Sequence, residues 1–362
     1  MSRRIIIDEL EFDVPYGKLA GKSWHEETED SKRILLLHGW MDNAGSFDNL
    51  VPFLKFPQDA YIVALDLPGH GKSSQLPPGA SYTDVNMLME IRRCVTELNW
   101  IQPVNVSVNG KDSASNNNQS NNNNNNVIKE QPTKKFTIIG HSLGGGLGVF
   151  YASLYPNDVD EIILLDYIKP RTFPTEVMLN GVAESIDQFI KIVSAPSPLS
   201  SPVISKSPRP SFCDKGQVVV SQETAIVATI EAHKQLGNLT REEAKCLLKR
   251  STIAVSTPAN SVIYSRDLRL QAMLNFREHW AVTATMFSNV NCHVLVLLAK
   301  NGLYAVENSF RDNMDKMEEL IRSRAKSLQV LRTDGDHYLH MNKPKETAEL
   351  INKYYQDSIS KA

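Results

Sequence analysis

The feature that most constrains this chain is an apolar run, 136–139, that leads directly into the Gly-x-Ser-x-Gly pentapeptide at 140–144. A buried strand followed by this pentapeptide and a helix of small residues is the nucleophile-elbow pattern, which places a serine on a tight turn. Side chains two positions before and after that serine would collide, and Gly140 and Gly144 leave the room the turn needs. The pattern therefore predicts that the hydroxyl of Ser142 projects from the end of a strand.

A second apolar run, 33–38, ends in a His-Gly-Trp sequence at 38–40. The chain must turn sharply here beside the predicted nucleophile, so the backbone N–H of Trp40 can donate to a developing oxyanion. The helix that follows Ser142 directs its first free N–H groups, beginning with that of Leu143, to the same place. These two N–H groups are the predicted oxyanion hole.

A serine nucleophile needs a base, and the order of residues along the chain indicates which histidine supplies it. On this architecture the histidine comes last, in the loop after the final strand. Only His337 and His340 lie there, and Gly335 allows a sharp exit from the strand just before them. We predict that His337, in the turn itself, is the base.

Elsewhere short apolar runs alternate with helical patterns, such as the one at 84–99. Runs of Ile, Leu and Val without polar alternation are typical of strands buried on both faces of a parallel sheet. We predict strands at 5–7, 18–24, 33–38, 60–65, 136–139, 161–166, 293–299 and 328–332. This alternation predicts an α/β fold with a mostly parallel, doubly wound sheet.

The alternation breaks in the second half of the chain, where the pattern is helical. Thr240 and Glu243 form a capping box that opens a helix. We therefore predict a core made of residues 1–168 and 291–362, with an all-helical lid inserted at 169–290. Such a lid would cover the edge of the sheet at which open α/β folds bind ligands.

Two segments stand out by composition. Nine of the eleven residues from 116 to 126 are Asn, within a polar tract, 106–135, that has too little apolar area to pack. We predict that this tract is a disordered loop. The Ser- and Pro-rich segment 194–211 is predicted to be an extended linker.

Three further features are interpreted as structural. His38 more often braces its loop than transfers protons, and the loop at 66–74, with its Pro and Gly residues, is architectural. In the lid, Arg266, Asp267 and Arg269 form a charged group that we expect to make salt bridges to the core. Binding of an acidic substrate group is the alternative for these three residues.

Charge and composition exclude several classes of partner. Lys and Arg total 39 against 41 for Asp and Glu, a net charge of −2, so no basic field indicates nucleic acid. No apolar run approaches the roughly 20 residues of a membrane span. No cluster has metal-ligand spacing and no GxGxxG follows a strand, so no cofactor is expected.

The cellular compartment is predicted from the cysteines and the two ends of the sequence. The four cysteines are scattered without a CxxC motif, which indicates reduced thiols. Acidic residues, beginning with Asp8 and Glu9, come too early for a secretory signal, so we expect a cytoplasmic protein. The Ser-Lys-Ala tripeptide at 360–362 makes a peroxisomal address the alternative.

Together these elements resemble the α/β-hydrolase fold family, and more narrowly its serine hydrolase-like protein branch. The resemblance covers nearly the whole chain except the Asn tract. It rests on LHGWMDNAGSFD at 37–48, GHSLGG at 140–145, SRDLRL at 265–270, GDH at 335–337 and HM at 340–341. It implies that Ser142 is the nucleophile and His337 the base, with the N–H groups of Trp40 and Leu143 as the oxyanion hole.

The acid of the triad departs from the family pattern. In most members it follows the strand that corresponds to 293–299, but Asn301 stands where an Asp would be expected. Some members place the acid one strand earlier, and here that strand ends in Asp166. Because triads are recognised by geometry, Asp166 is the preferred acid, with Asn301, Glu307 or another acid as alternatives.

The predicted function is hydrolysis of a small apolar ester or thioester by a serine hydrolase through an acyl-enzyme. The alternative is a protein of the same fold that has lost catalysis and binds a ligand. The expected partner is a small ester-like substrate, and the oligomeric state stays open.

Overall fold

The structure, a computed structural model, describes residues 6–56, 59–102, 134–170, 175–194, 218–256, 258–273, 280–306 and 308–359. Of the predicted disordered tract, 106–135, the structure describes only residues 134 and 135. Residues 195–211 of the predicted linker and the tripeptide 360–362 lie outside the described residues, as does Glu307.

Eight strands form the central sheet, in the order β1-β2-β4-β3-β5-β6-β10-β11. Their bounds are Ile7–Val14 (β1), Gly17–Trp24 (β2), Lys32–Leu37 (β3), Ala60–Leu65 (β4), Phe136–His141 (β5), Val159–Leu165 (β6), His293–Asn301 (β10) and Ser327–Asp336 (β11). The first two strands pair antiparallel with each other, and β2 pairs antiparallel with β4. All other neighbours are parallel, which confirms the predicted α/β fold with a mostly parallel sheet.

Helices connect the strands and cover both faces of the sheet. Those described are Asp84–Glu97 (α1), Leu143–Leu154 (α2), Thr175–Ser194 (α3), Gln222–His233 (α4), Arg241–Ser251 (α5), Trp280–Phe287 (α6), Leu303–Val306 (α7), Asn308–Arg311 (α8), Met314–Arg324 (α9), Leu339–Asn342 (α10) and Pro344–Ile359 (α11). None of these helices combines the length and apolar character that crossing a bilayer requires.

Strand alternation divides the core into two layers. In β3, Leu35 and Leu37 pack into one apolar cluster, whereas Ile34 and Leu36 pack into the other. The first cluster contains side chains of α1, α2, α6 and α9, and the second contains side chains of α11. Both faces of the sheet are therefore buried, which is why its strands are continuous apolar runs.

The segment between β6 and β10 contains α3 to α6 and also a small antiparallel sheet of three strands. These are Val220–Ser221 (β7), Thr252–Val255 (β8) and Ser261–Tyr264 (β9), in the order β7-β9-β8. The prediction of an all-helical insertion was wrong on this point. Strands of two and four residues are too short to show the alternation by which a strand is recognised.

The first strand was also predicted in the wrong place. The apolar run at 5–7 suggested a strand there, but β1 runs over Ile7–Val14. This strand lies at the edge of the sheet and most of its residues are exposed or partly exposed, so apolar and polar residues alternate along it. A search for continuous apolar runs finds buried strands and misses such an edge.

Candidate active site

The turn between β5 and α2 holds Ser142 in a strained backbone conformation. Its φ is 50° and its ψ is −115°, a combination that costs about 1–3 kcal/mol for a residue other than glycine. A Cβ at Gly140 would lie 2.5 Å from the carbonyl oxygen of Gly144, and a Cβ at Gly144 would collide with the carbonyl of Leu37. The predicted reason for the two glycines is confirmed, because both approaches are to backbone atoms that cannot move aside.

His337 and Asp166 meet in the interior beside this turn. The Nδ1 of His337 lies 2.7 Å from Oδ2 of Asp166, and the two residues are 2% and 0% exposed. The ring of His337 packs against that of His141, the residue before Ser142, with 4.6 Å between ring centroids. In addition, the His337 carbonyl accepts a hydrogen bond of 2.9 Å from Nε2 of His141.

Backbone groups fix the carboxylate of Asp166. Its Oδ1 accepts from the N–H of Ala299 at 2.9 Å and its Oδ2 from the N–H of Leu303 at 2.8 Å. A Cβ at Gly302 would collide with this carboxylate, so the turn after β10 closes around it. Asn301 lies in the same turn but is exposed and pairs in the sheet with Asp336. The structure thus brings Asp166, and not Asn301, to His337.

The loop that carries His337 is held by the inserted segment. The N–H of His337 donates to the carbonyl of Leu236 at 3.1 Å. Next to it, Asp336 accepts from the N–H of Asn238 and from the N–H of Tyr338, each at 2.9 Å. The sequence shows no signal for these contacts, because the turn at 236–238 is distant along the chain.

Trp40 and Leu143 lie on the two elements that flank Ser142. Leu143 is the first residue of α2, where backbone N–H groups have no partner within the helix. Trp40 follows β3 and is 51% exposed, so it is not a core residue, and its indole Nε1 donates to the carbonyl of Leu270 at 3.0 Å. A Cβ at Gly39 would lie 2.7 Å from Nδ1 of His141, which shows how closely this loop approaches the serine turn.

The bracing role predicted for His38 is confirmed. Its Nε2 accepts from the N–H of Leu67 at 3.0 Å, and its Nδ1 donates to the carbonyl of Gly39 at 2.8 Å. The side chain is completely buried, and burial lowers its pKa. A neutral His38 therefore joins the turn after β3 to the loop after β4.

Asp42, at the end of the loop after β3, forms a buried ion pair with the inserted segment. Its Oδ1 lies 3.0 Å from Nε2 of His233, whose Nδ1 lies 2.7 Å from the carbonyl of Thr229. Both nitrogens thus face acceptors, the arrangement of an imidazolium. Burial alone would lower the pKa of His233 and raise that of Asp42, but the hydrogen bond and charge of the partner reverse both directions. The sequence did not predict this contact.

Three more histidines lie around the same loop, and all are neutral because they are buried. Burial lowers the pKa of His70 to about 3 and that of His340 to about 4, and it lowers the pKa of His141 well below its usual range. The ring of His340 stacks against that of His141, with 4.2 Å between centroids. His340 is therefore a packing residue behind the serine turn.

Among the described residues, Asp267 and Arg269 do not form the predicted salt bridges to the core; they pair with each other and contact the core through hydrogen bonds. Asp267 forms a buried ion pair with Arg269 at 2.6 Å and accepts a hydrogen bond from Tyr82 at 2.9 Å. A second buried pair joins Arg250 to Asp66 at 2.8 Å and was not predicted. The Arg250–Asp66 pair joins the inserted segment to the loop after β4, whereas the Asp267–Arg269 pair lies within the segment.

Among the residues that the structure describes, no three His, Cys, Asp or Glu side chains are grouped as metal ligands would be. The arrangement is instead that of a serine on a strained turn, a buried histidine and a buried carboxylate.

The sequence and structure are similar to those of known hydrolases. A family model described as alpha/beta hydrolase fold matches residues 32–201. Human serine hydrolase-like protein 2 is 29% identical over 97% of this chain and 95% of its own length. A probable serine hydrolase of Drosophila melanogaster is 27% identical over 97% of the chain and 88% of its own length.

Solved structures agree on the fold. The crystal structure of a hypothetical protein from Pseudomonas aeruginosa superposes with a TM-score of 0.66 at 22% identity, covering 97% of this chain and 99% of that one. A thioesterase domain from the curacin biosynthetic pathway superposes with a TM-score of 0.64 at 17% identity, covering 96% and 99%. These similarities support a hydrolase. The chain has the α/β-hydrolase fold and is similar, over most of its length, to the serine hydrolase-like proteins.

Proposed function

We propose that this protein is a serine hydrolase that cleaves carboxylic ester or thioester bonds of a small, largely apolar substrate. The observation that carries the proposal is the buried contact of 2.7 Å between His337 and Asp166 beside the strained turn of Ser142. A binding protein has no need to hold a serine in a costly conformation next to such a pair. The names of the relatives support the same class of reaction.

The proposed mechanism follows from the direction of the hydrogen bonds. His337 donates from Nδ1 to Asp166, so its Nε2 is the nitrogen with a free lone pair. That nitrogen takes the proton of Ser142 as the hydroxyl oxygen attacks the substrate carbonyl, and Asp166 stabilises the imidazolium that forms.

The negative charge of the tetrahedral intermediate needs donors in place before the reaction starts. The N–H groups of Trp40 and Leu143 take this role in the proposal, and loss of one such donor typically costs about 10²–10³ in rate. Collapse of the intermediate releases the alcohol or thiol with the proton from His337, and leaves an acyl group on Ser142. Water, activated by the same histidine, then releases the acid.

Esters and thioesters are preferred over amides because they are the commoner substrates of hydrolases whose sheet is covered by an insertion. This preference for esters and thioesters rests on analogy with other proteins of the fold.

The proposal is tested by labelling the purified protein with a fluorophosphonate probe, which reacts only with an activated serine. We expect labelling of the native protein and none of the Ser142→Ala variant. Ser46→Ala, which changes a buried serine of the loop after β3, is the control and should label like the native protein. A folded native protein that does not react would contradict the proposal and favour a ligand-binding protein of the same fold.

A further inference from the structure

The segment Ser265–Leu270 of the insertion lies on the loops that follow β3 and β4. The N–H of Asp267 donates to the carbonyl of Gly69 at 2.9 Å, and the hydroxyl of Ser265 donates to the carbonyl of Gly71 at 2.7 Å. The indole of Trp40 donates to the carbonyl of Leu270 at 3.0 Å. Side chains of this segment are therefore held at a fixed place beside the candidate active site.

Arg266, within this segment, differs from the other buried arginines of the lid. Arg269 pairs with Asp267, and three of its other hydrogen bonds end on backbone carbonyls. Arg250 pairs with Asp66 and Glu9. In the described ranges, no carboxylate or carbonyl accepts a hydrogen bond from the guanidinium of Arg266. The guanidinium lies over the ring of Tyr264, with 5.2 Å between Cζ and the ring centroid.

The position of the Arg266 guanidinium follows from the charged and titratable groups near it. Its charge acts on Asp42 and His233, on the two sides of the ion pair, and on His70 in the loop after β4. The side chain is partly buried, and burial lowers its pKa. The guanidinium is thus located among the loop after β3, the loop after β4 and the end of α4.

Asp42 is the carboxylate whose charge acts on Arg266, and it already accepts a hydrogen bond from His233, whose two nitrogens both face acceptors. The carboxylate of Asp42 is thus engaged by His233, and among the described contacts it makes no hydrogen bond to Arg266. Partial burial of a cation costs free energy, and an anion that binds the guanidinium offsets this cost.

We propose that Arg266 binds an anionic group, a carboxylate or a phosphate, at the end of the substrate remote from the scissile bond. The planar guanidinium donates two parallel hydrogen bonds to such a group, which sets the orientation of the substrate. This inference rests on the proposed function and refines it, since the substrate becomes an ester with an apolar body and one charged end. In this proposal Asp267 and Arg269 hold the segment in place, and Arg266 binds the substrate.

Binding is measured first, by calorimetry on the Ser142→Ala protein, in which no turnover takes place. The ligands are the monomethyl esters of succinate, glutarate and adipate, and the dimethyl esters of the same acids are the neutral controls. We expect a monoester to bind more tightly than its dimethyl partner, and Arg266→Gln in the same background to weaken monoester binding about 10- to 100-fold, the value of a charged hydrogen bond. A monoester that ends in a phosphonate distinguishes phosphate from carboxylate recognition.

The controls separate charge from folding. Arg266→Lys keeps the charge and should retain part of the affinity. Arg241→Gln removes an exposed arginine that pairs with Glu223, and it should leave the ratio of monoester to dimethyl ester affinity unchanged. Equal affinity for the two kinds of ester, or equal loss of both in Arg266→Gln, would overturn the inference.

Turnover gives the second measurement, on protein with Ser142 intact. We expect the ratio of kcat/KM for mono-4-nitrophenyl glutarate to kcat/KM for 4-nitrophenyl butyrate to fall at least about tenfold in Arg266→Gln. An unchanged ratio would overturn the inference while the hydrolase stands. Absence of turnover and of probe labelling, with anion binding intact in the Ser142→Ala protein, would instead reject the hydrolase and retain the anion site.

Discussion

At the residue scale, the carboxylate of Asp166 is held in one orientation next to His337. Asp166 has a φ of 46°, so its backbone, like that of Ser142, lies in a region that residues with a side chain rarely adopt. The N–H groups of Ala299 and Leu303 hold the two carboxylate oxygens in place. A side chain held in this way is oriented before any substrate arrives, which is the condition for stabilising a transient imidazolium.

Asp166→Asn is the prediction that belongs to this residue. The amide keeps the size of the carboxylate but removes its charge and favours the wrong tautomer of His337, so kcat should fall on the order of 10⁴-fold. Asn301→Ala is the matched control, because Asn301 is exposed and does not reach His337. Steady-state kinetics on one activated ester compare the two variants. A large loss in Asn301→Ala with little loss in Asp166→Asn would reverse the assignment.

The sequence predicts Ser142 as nucleophile and His337 as the preferred base, but it leaves the acid open. The order of residues along the chain identifies a strand end, and two strand ends carried candidates: Asp166 after β6, and Asn301 and Glu307 after β10. Which of them points inward depends on the turn after β10, where the backbone N–H groups of Ala299 and Leu303 face Asp166. Backbone directions of this kind are a property of the folded turn.

At the scale of elements, the inserted segment is joined to the core by buried charges. Arg250, at the end of α5, is 4% exposed and pairs with Asp66, which is 0% exposed. Asp66 also accepts from the N–H groups of Ala44 and Lys72. The same carboxylate thus binds the loop after β3, the loop after β4 and the inserted segment.

Arg250→Met should destabilise the protein by about 3–5 kcal/mol, since it leaves Asp66 buried without its cation. Urea unfolding, followed by far-UV circular dichroism, measures the loss. Arg241→Gln removes an exposed ion pair at the start of the same helix and should cost at most about 1 kcal/mol. Equal losses in the two variants would mean that Arg250 contributes as a surface residue does.

The elements themselves were largely predictable, whereas their connections were not. Continuous apolar runs indicate buried strands, and both ends of β4 were predicted correctly. The predicted capping box of α5 is also confirmed at Thr240 and Glu243. Arg250 looked like an ordinary basic residue in the last turn of a helix. Its partner is 184 positions away, and such pairings exist only once the inserted segment has packed on the core.

At the scale of the whole molecule, buried histidines make stability depend on pH. His38, His70, His141 and His340 are all at most 1% exposed, and burial lowers the pKa of each. Unfolding returns each pKa to about 6.5. Below that pH the unfolded chain binds more protons than the folded one, so the free energy of unfolding falls as pH falls.

His233 has the opposite sign and does not add to this loss. Its pKa is raised, so its contribution to stability is complete below about pH 6.5 and is lost as pH rises through its folded value. The pKa of Asp42 is lowered, so its contribution is lost as pH falls through about 4 and below. From pH 6.5 to 5 the loss of stability is therefore expected to come mainly from the four buried histidines.

We predict that the free energy of unfolding falls from pH 6.5 to pH 5 by more than about 1.4 kcal/mol per pH unit, the slope of a single proton. Urea titrations at closely spaced pH values measure this slope. His340→Phe, which replaces one neutral buried ring with another, should reduce the slope by up to one proton, because the pKa of His340 is lowered to about 4. His293→Gln, at an exposed histidine, should leave the slope as it is. A free energy of unfolding that does not change between pH 6.5 and pH 5 would mean that these rings gain protons in the folded protein. That result would contradict the packed histidine cluster behind Ser142.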